Sequence, residues 1–267
     1  MQITFIGGGN MAAAIIAGLV KEAGHTIRVV DRNADKCANL QKNYAVDARS
    51  DLPASFSSDD IVVLAVKPQQ LKALCLELAP RLSGAMIVSI AAGIRIEALS
   101  RWLGSERIVR VMPNTPSMVG KGMSGLYADA HVSETDRHAA QSIMLAVGKV
   151  HWLPTESGID NITCISGSGP AYVFYFLESM MQAARDVGFS DADARELALT
   201  TFEGAIELAR QSPLDVSELR ANVTSKGGTT ARAIARFDLD GVKPAIIAGA
   251  LDCRAHSITM GQQLSQD

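Results

Sequence analysis

Residues 2–12 of the chain, QITFIGGGNMA, contain the stretch that decides the fold of the N-terminal half. The apolar run QITFI is typical of a short buried strand, and three glycines follow it directly. An apolar stripe at helical spacing then predicts a helix over residues 10–23. Gly7, Gly9 and Ala12 therefore match the pattern G-x-G-x-x-G/A between a strand and a helix, which is the context in which this pattern binds a dinucleotide.

The small residues of this loop have separate physical roles in such a site. Gly7 permits the tight turn, Gly9 lets the backbone approach a pyrophosphate, and Ala12 permits close packing of helix on strand. The free N–H groups and the dipole of the helix N-terminus then hold the phosphates. We therefore expect the loop, including Gly8, to bind a dinucleotide cofactor; a glycine-rich turn without a ligand is the alternative.

Short β-branched runs and helical segments alternate along the rest of the N-terminal half. The later predicted strands are 26–31, 60–66, 85–90, 107–111, 122–127 and 149–153, with helices including 33–43, 68–78 and 134–147. After about residue 160 the strands stop, and helices are predicted over 169–188, 190–212 and 243–264. Alternation of the first kind is typical of βαβ units and a parallel sheet. Ser133 and Ser190 are predicted helix N-caps.

The predicted fold class is therefore α/β. We expect an N-terminal Rossmann-type, doubly wound, mostly parallel sheet over residues 1–160, which binds the dinucleotide. An all-α domain over residues 161–267 follows it and serves substrate binding and dimerisation. Helix 169–188 is apolar almost all round, so more than one of its faces must be covered. This predicts a homodimer built through the helical half, with a self-contained helical bundle as the alternative.

Composition and charge exclude several classes of function. The formal net charge is −3 and no basic block occurs, so nucleic acid is not an expected partner. The most apolar stretch, 171–181, is shorter than a membrane span and is interrupted by Glu178, so no membrane interaction is expected. The four cysteines form no CxxC pair and no secretory signal is visible, which predicts reduced thiols in a cytoplasmic protein. The five histidines show no ligand spacing, so no metal site is expected.

Asp31 and Arg32 give opposite indications about the cofactor. Asp31 ends the second strand, where an acid binds the ribose 2′-hydroxyl of NAD. Arg32 follows at once, and an arginine here can accept the 2′-phosphate of NADP. We expect both residues in the cofactor site, with NADP(H) favoured and NAD(H) as the alternative.

Three more loops are expected at the carboxyl ends of strands, where ligands bind open α/β sheets. They are Ala65-Val66-Lys67-Pro68, Ala91-Ala92-Gly93 and Met112-Pro113-Asn114-Thr115-Pro116. The residues that these loops add to the predicted cofactor site are Ala65, Val66, Lys67, Pro68, Ala91, Gly93 and Asn114. For Lys67, an ordinary surface lysine is the alternative.

In the second half of the chain, the polar residues that indicate a binding site are most concentrated in the stretch 223–231, VTSKGGTTA, which precedes a short helix. Its two glycines expose backbone N–H groups, and its serine and threonines add hydroxyls. A helix N-terminus of this composition is an anion site that fits a carboxylate. The predicted substrate-binding residues are Ser225, Gly227, Gly228, Thr229 and Thr230. A capped helix without a ligand is the alternative.

The stretch 223–231 contains no histidine and no carboxylate. A carbonyl substrate needs a proton as hydride arrives, usually from His or Lys. A protonated imine already has a proton on its nitrogen, and a hydroxyl such as that of Thr230 suffices to orient it. The dinucleotide loop and the hydroxyl-rich anion site together suggest a small imino acid as substrate.

Six motifs occur in order over nearly the whole chain: GGGNMA (7–12), AVKPQ (65–69), SIAAGI (89–94), RVMPNTP (110–116), SGSGPAY (166–172) and VTSKGGTTARAI (223–234). Together they resemble the Δ1-pyrroline-5-carboxylate reductase family, which catalyses the last step of proline biosynthesis. The resemblance implies reduction of pyrroline-5-carboxylate to L-proline by NAD(P)H. It also implies helices interlocked in a homodimer and, in some members, a decamer built as a pentamer of dimers.

The resemblance assigns roles to single residues. It implies that Thr230, the expected catalytic residue, contacts the ring nitrogen, and that Ser225, Gly228 and Thr229 surround the carboxylate. The residues that it places along the cofactor are Asn10, Met11, Ala65, Lys67 and Asn114. Lys226 departs from the family, which usually has proline there; its ammonium either assists the carboxylate or faces water.

Two other functions are alternatives to the reduction of pyrroline-5-carboxylate. A β-hydroxyacid dehydrogenase would need an acid–base lysine on the helix that opens near residue 170, and that helix begins Gly169-Pro170-Ala171-Tyr172-Val173. A non-catalytic nucleotide-sensing dimer would keep the glycine loop but would not need the hydroxyl-lined turn.

Overall fold

The computed structural model of the protein describes residues 1–266. Its strands form one eight-stranded sheet in the order β3-β2-β1-β4-β5-β6-β7-β8, in which all neighbours are parallel except the antiparallel pair β6–β7. The strands are β1 (Gln2–Ile6), β2 (Thr26–Val30), β3 (Asp47–Arg49), β4 (Asp60–Leu64), β5 (Met86–Ser89), β6 (Ile108–Met112), β7 (Gly122–Ala128) and β8 (Gly148–Trp152).

Helices fill the connections of the sheet and the whole C-terminal half. They are α1 (Asn10–Leu19), α2 (Ala34–Tyr44), α3 (Pro68–Leu78), α4 (Ile96–Leu103), α5 (Glu134–Leu145), α6 (Gly158–Ile162), α7 (Gly169–Asp186), α8 (Asp191–Gln211), α9 (Val216–Asn222), α10 (Thr229–Leu239) and α11 (Val242–Leu264). A π-helical turn, Thr163–Gly167, lies between α6 and α7. Within residues 1–266, no helix is both long enough and apolar enough to cross a membrane.

Both faces of the sheet are buried, which explains why its strands are nearly continuous apolar runs. On one face Phe5 and Val63 pack with residues of α1 and α5. On the other face Leu64 and Ile87 pack with residues of α3 and α4. Burial of each such side chain contributes roughly 1.5–3 kcal/mol to the free energy of folding. Helices on both faces of a mostly parallel sheet confirm the predicted doubly wound α/β class.

The chain forms two compact units. One comprises Met1–Pro170 together with the chain from Asp252 onward, and the other comprises Ala171–Leu251. The second unit contains only helices, and its apolar side chains are largely exposed. Its exposed large apolar residues are Val173, Phe174, Tyr175, Met180, Val187, Phe189, Leu197, Leu199, Ile206, Leu208, Leu214, Val216, Val223, Phe237, Leu239, Ile246, Ile247 and Leu251. A helical unit with this much exposed apolar surface needs a partner to cover it.

The predicted strands and long helices are confirmed within a few residues, as are two predicted caps. The hydroxyl oxygens of Ser133 and Ser190 accept hydrogen bonds from the backbone N–H groups three residues later. The prediction missed β3, α4, α6 and α9. For α4 the apolar spacing over 96–103 would have been a usable signal, and for α9 the capping box of Asp215 and Glu218 would have been another. The short strand β3 has no such local signal, because its three residues are extended only through pairing with β2.

Candidate active site

The loops predicted to hold a cofactor all lie at one edge of the sheet. Strands β1, β2, β4, β5 and β6 are mutually parallel, so their carboxyl ends meet there. The chain runs outward from β1 to β2 and β3 on one side and, after β4, to β5 and β6 on the other. Open α/β sheets bind ligands at such a reversal of strand order, and here it falls between β1 and β4.

The glycine loop has the geometry that a dinucleotide needs. Gly7 has φ +104°, and a Cβ on it would lie 2.6 Å from the carbonyl oxygen of Ala65, so glycine is required there. A Cβ on Gly9 would meet no atom within 4 Å, which leaves open space beside the backbone. Helix α1 begins at Asn10 with no side chain capping it, and Ala12 is buried against the sheet. The free first-turn amides of α1 therefore fit a pyrophosphate.

Asp31 is tied to the glycine loop. One carboxylate oxygen accepts a hydrogen bond from Gly8 N–H (2.8 Å) and the other from Asn33 N–H (2.8 Å). The ammonium of Lys36 lies 3.5 Å from the oxygen that Gly8 contacts. Burial by itself raises the pKa of Asp31, but the backbone hydrogen bonds and Lys36 outweigh it and hold the pKa below its ordinary value. The acid thus stays ionised and braces the loop.

Two basic side chains flank this acid. The side chain of Arg32 is 90% exposed and makes a loose contact of 3.4 Å with Glu77. Lys36 lies in the first turn of α2, whose N-cap is Asn33. Lys36 was not among the predicted site residues. The signal that would have found it is a lysine in the first turn of the helix that follows the acid after β2, five positions from Asp31.

The loops after β4 and β5 differ in exposure. Lys67 is exposed and precedes Pro68, the first residue of α3, while Ala65 is half-buried. Gly93 is buried, has φ +79°, and packs so that a Cβ would lie 3.0 Å from Met260 Cε on α11. The side chain of Lys67 is thus open to a ligand, whereas Gly93 supports the packing of α11. A contact of Ala91 and Gly93 with the cofactor stays a prediction.

Asn114 joins two motifs that are far apart in sequence. Its buried amide donates to the carbonyl oxygen of Ser166 (2.9 Å) and accepts from Met123 N–H (2.9 Å). The bond to Ser166 holds the π-helical turn, a feature often found at functional sites. Asn114 therefore shapes the edge of the site, and its predicted contact with a cofactor stays a prediction.

The predicted substrate residues form a turn in the helical unit. Gly227 has φ +73°, and Gly228 N–H donates to the carbonyl oxygen of Ser225 (3.0 Å). A Cβ on Gly228 would lie 2.5 Å from Ser225 Oγ and 3.1 Å from the carbonyl oxygen of Ser225, so a larger residue there would displace the Ser225 side chain. Gly228 is the N-cap of α10 and no side chain caps that helix. Thr229 and Thr230 open the helix and are exposed, as is Ser225, so three exposed hydroxyl residues flank the uncapped first turn.

The predicted residues therefore fall into two groups. The cofactor set lies entirely in the first unit, along the carboxyl edge of the sheet, and the substrate set lies entirely in the helical unit. The sheet with its glycine loop, uncapped α1 and charged β2 terminus defines a nicotinamide-dinucleotide-dependent oxidoreductase.

Comparison with known proteins assigns the chain to a family of this class. Residues 156–260 match the family described as pyrroline-5-carboxylate reductase dimerisation, and residues 2–93 match that described as NADP oxidoreductase coenzyme F420-dependent. The pyrroline-5-carboxylate reductase of Pseudomonas aeruginosa is 42% identical over 270 residues, which cover 99% of this chain and 98% of that protein. The chain belongs to the pyrroline-5-carboxylate reductase family.

Solved structures agree with that assignment. A pyrroline-5-carboxylate reductase from Coxiella burnetii has a TM-score of 0.86 at 37% identity, covering 99% of this chain and 98% of that one. Pyrroline carboxylate reductase of Plasmodium falciparum, solved with NADP bound, has a TM-score of 0.84 at 29% identity, covering 97% and 99%. The protein is thus an oligomeric oxidoreductase of the NAD(P)H-dependent kind that acts on a small molecule.

Proposed function

We propose that the protein reduces the cyclic imine of Δ1-pyrroline-5-carboxylate to L-proline with NAD(P)H, the final step of proline biosynthesis. The observation that carries this proposal is the turn Ser225–Thr230, which combines a helix N-terminus that no side chain caps with three exposed hydroxyl residues. That turn lies within the matched dimerisation region, 156–260. A nucleotide sensor would not need such a turn, and a β-hydroxyacid dehydrogenase would need a lysine early in α7, which begins Gly169-Pro170-Ala171-Tyr172-Val173.

The substrate carboxylate docks on the N-terminus of α10. The first-turn amides there have no side-chain cap and donate to the anion, together with the hydroxyls of Ser225 and Thr229. Gly227 supplies the left-handed residue that the turn needs, and Gly228 leaves room for the Ser225 side chain. Lys226 is exposed beside the turn and adds a positive charge to its surroundings.

Thr230 is the proposed catalytic residue, because its hydroxyl orients the ring nitrogen. When bound, the reduced nicotinamide supplies the hydride to the imine carbon. No general acid is needed, since the iminium nitrogen already has its proton and becomes the amine of proline. The protein's contribution is then mainly orientation of the substrate, which can lower a barrier by about 7–11 kcal/mol.

We propose that the cofactor lies along the carboxyl edge of the sheet. The glycine loop with Asn10 and Met11 holds its pyrophosphate, and the loop 65–68 with Asn114 borders its nicotinamide side. NADPH is the favoured form, because Arg32 and Lys36 offer two cations to a 2′-phosphate while the carboxylate of Asp31 is already engaged by backbone N–H groups. NADH is the alternative form.

We propose that the active form is a homodimer that covers the exposed apolar surface of the helical unit, and that a pentamer of such dimers is the larger assembly to test. In this proposal residues 1–160 bind the cofactor, and residues 161–267 bind the substrate and form the dimer interface. We further propose a cytoplasmic location, which the four free cysteines support.

The direct test is oxidation of NADPH and of NADH, followed by absorbance at about 340 nm, with purified protein and pyrroline-5-carboxylate. We expect turnover with both cofactors, faster with NADPH, and L-proline as the product by mass spectrometry. A protein that binds NADPH but forms no proline with either cofactor would overturn the assignment of the turn while leaving the nucleotide site in place.

A further inference from the structure

Four charged side chains lie together in the first unit, beside the cofactor edge of the sheet. The guanidinium of Arg110, on β6, donates to a carboxylate oxygen of Glu156 at 2.9 Å. The same oxygen accepts the backbone N–H of Ile96 at 2.7 Å. Arg95 donates to the carboxylate of Asp160 at 3.1 Å. The cluster thus joins β6, the start of α4 and the segment around α6.

This cluster is not well suited to stability alone. The side chain of Arg110 is 2% exposed, and burial lowers its pKa while Glu156 opposes the shift. Within residues 1–266, Arg110 Nε has no hydrogen-bond partner, and neither does the hydroxyl of Ser89, which pairs with Arg110 in the β5–β6 register. Replacing a buried ion pair with apolar residues of similar volume is often neutral or stabilising. The ion pair of Arg110 and Glu156 would be accounted for if it held the neighbouring chain segments in one specific arrangement.

The arrangement that the pair holds includes two predicted site motifs. Arg110 lies on the strand that leads into the loop Met112–Asn114, and Glu156 precedes α6 and the π-helical turn. Further on, Asn114 donates to the carbonyl oxygen of Ser166, and a Cβ on Gly167 would lie 2.8 Å from Met112 Cε. The ion pair therefore joins the strand before the loop to the segment before α6, and the Asn114–Ser166 bond and the close packing of Met112 on Gly167 join the loop to the turn itself.

The second ion pair extends the same arrangement to α11. The carboxylate of Asp160 also accepts a hydrogen bond from the buried hydroxyl of Ser257 at 2.8 Å. Ser168 lies 3.2 Å from the thiol of Cys253 between their side-chain atoms. Both chain segments that connect the first unit with residues 171–251 are thus anchored within the first unit by this network.

We propose that Arg110 and Glu156 are positioning residues for the reduction, because their ion pair holds the loop 112–114 and the turn 163–167 in one fixed arrangement. Loss of that arrangement should lower the turnover number more than it lowers protein stability or cofactor affinity. The inference rests on the proposed function, because it requires that the loop border the bound cofactor.

The test replaces the pair with apolar residues of similar shape, in the double variant Arg110→Met/Glu156→Leu. We expect a melting temperature close to that of the wild type, a Kd for NADPH unchanged within about twofold, and a kcat lowered roughly 10- to 100-fold, the size of effect that a small misplacement of reacting groups produces. The matched control is Arg107→Met/Asp136→Leu, which removes an ion pair at the opposite end of β6. That control should lower the melting temperature, because it also removes the hydrogen bonds of Arg107 to the carbonyl oxygens of Ser58 and Gly84, and it should leave kcat at its wild-type value.

A wild-type kcat in Arg110→Met/Glu156→Leu would overturn the inference, as would an equal loss of kcat in the control. If the double variant does not fold, Glu156→Gln, which keeps an oxygen for Ile96 N–H, takes its place with the same readouts; an unchanged kcat and KM there overturns the inference. Failure of the proposed function is recognised separately, because the wild type itself would then form no proline.

Discussion

The carboxylate of Asp31 and the backbone N–H of Gly8 are joined by a hydrogen bond of 2.8 Å across 23 residues of sequence. The bond ties the end of β2 to the glycine loop after β1. An acid at this position is usually interpreted as a selector for NAD, because it can accept the ribose 2′-hydroxyl. Here both carboxylate oxygens of Asp31 already accept hydrogen bonds from backbone N–H groups, those of Gly8 and Asn33. The main role of Asp31 is therefore to hold the conformation of the glycine loop.

Asp31→Ala should therefore weaken both cofactors together. Hydrogen bonds to a charged group are worth about 1.5–3 kcal/mol, so we expect Kd for NADPH and for NADH to rise roughly tenfold or more each. Fluorescence titration with each cofactor measures this, and Asp31→Asn, which keeps an acceptor oxygen, should lose less. A variant in which NADH binding falls while NADPH binding improves would show that Asp31 is a selector instead.

Lys36→Ala should weaken NADPH selectively. Its ammonium lies beside the end of β2, where the 2′-phosphate is expected, and a charge-assisted contact of this type is worth about 1.5–3 kcal/mol. We expect kcat/KM for NADPH to fall roughly tenfold and that for NADH to stay constant. The control is Lys42→Ala, an exposed lysine in the last turn of the same helix. Equal losses for both cofactors would remove Lys36 from the phosphate site.

Thr230→Ala should lower kcat without changing cofactor affinity. The hydroxyl is proposed to hold the ring nitrogen, and loss of such a hydrogen bond costs about 1.5–3 kcal/mol in the transition state, or roughly 10- to 100-fold in rate. Thr230→Ser keeps the hydroxyl and should retain most activity. Steady-state kinetics with saturating NADPH decides the matter, and an alanine variant as fast as the wild type would refute the assigned role.

Phe174→Glu should disrupt the oligomer. Phe174 is 59% exposed on α7 of the helical unit, and a charge placed in an apolar interface must be desolvated without a partner. Light scattering after size-exclusion chromatography should show a smaller species than for the wild type. Leu76→Glu is the matched control, because Leu76 is 56% exposed on α3 of the other unit. If both variants keep the wild-type mass, the interface does not include this face of α7.

Asp136→Asn should change the acid stability of the protein. Two hydrogen bonds from Arg107, at 2.7 and 2.8 Å, lower the pKa of Asp136 below its ordinary value of 3.8. A carboxyl whose pKa is lowered by folding stabilises the protein above its unfolded pKa, and this contribution disappears as the pH falls through the folded value. We expect the variant to lose about 1–2 kcal/mol of unfolding free energy near neutral pH, because the side chain of Arg107 is 35% exposed and keeps its bonds to the carbonyl oxygens of Ser58 and Gly84.

The difference between wild type and Asp136→Asn should then shrink as the pH falls below about 4, because the wild-type carboxyl becomes protonated. Urea unfolding at several pH values measures both quantities. A difference that does not depend on pH would mean that the charge of Asp136 contributes nothing and that only its shape matters.

The features that the sequence alone predicted correctly are those that depend on neighbours along the chain. The strand QITFI and the first helix follow from apolar periodicity, and φ +104° at Gly7 requires glycine whatever lies around it. Ser133 and Ser190 cap helices through bonds to residues three positions away. Burial of the sheet on both faces likewise follows from strands that are apolar at nearly every position.

Features that depend on distant partners required the tertiary structure. From the sequence Asp31 is assigned to the ribose, whereas the structure shows its contact with Gly8, and Asn114 is bound to Ser166, 52 positions away. Arg110 finds Glu156 only because β6 and the segment before α6 pack together. The physical reason is that local rules determine which backbone conformation a segment adopts, whereas packing of the whole sheet determines which polar groups face each other and which task each one performs.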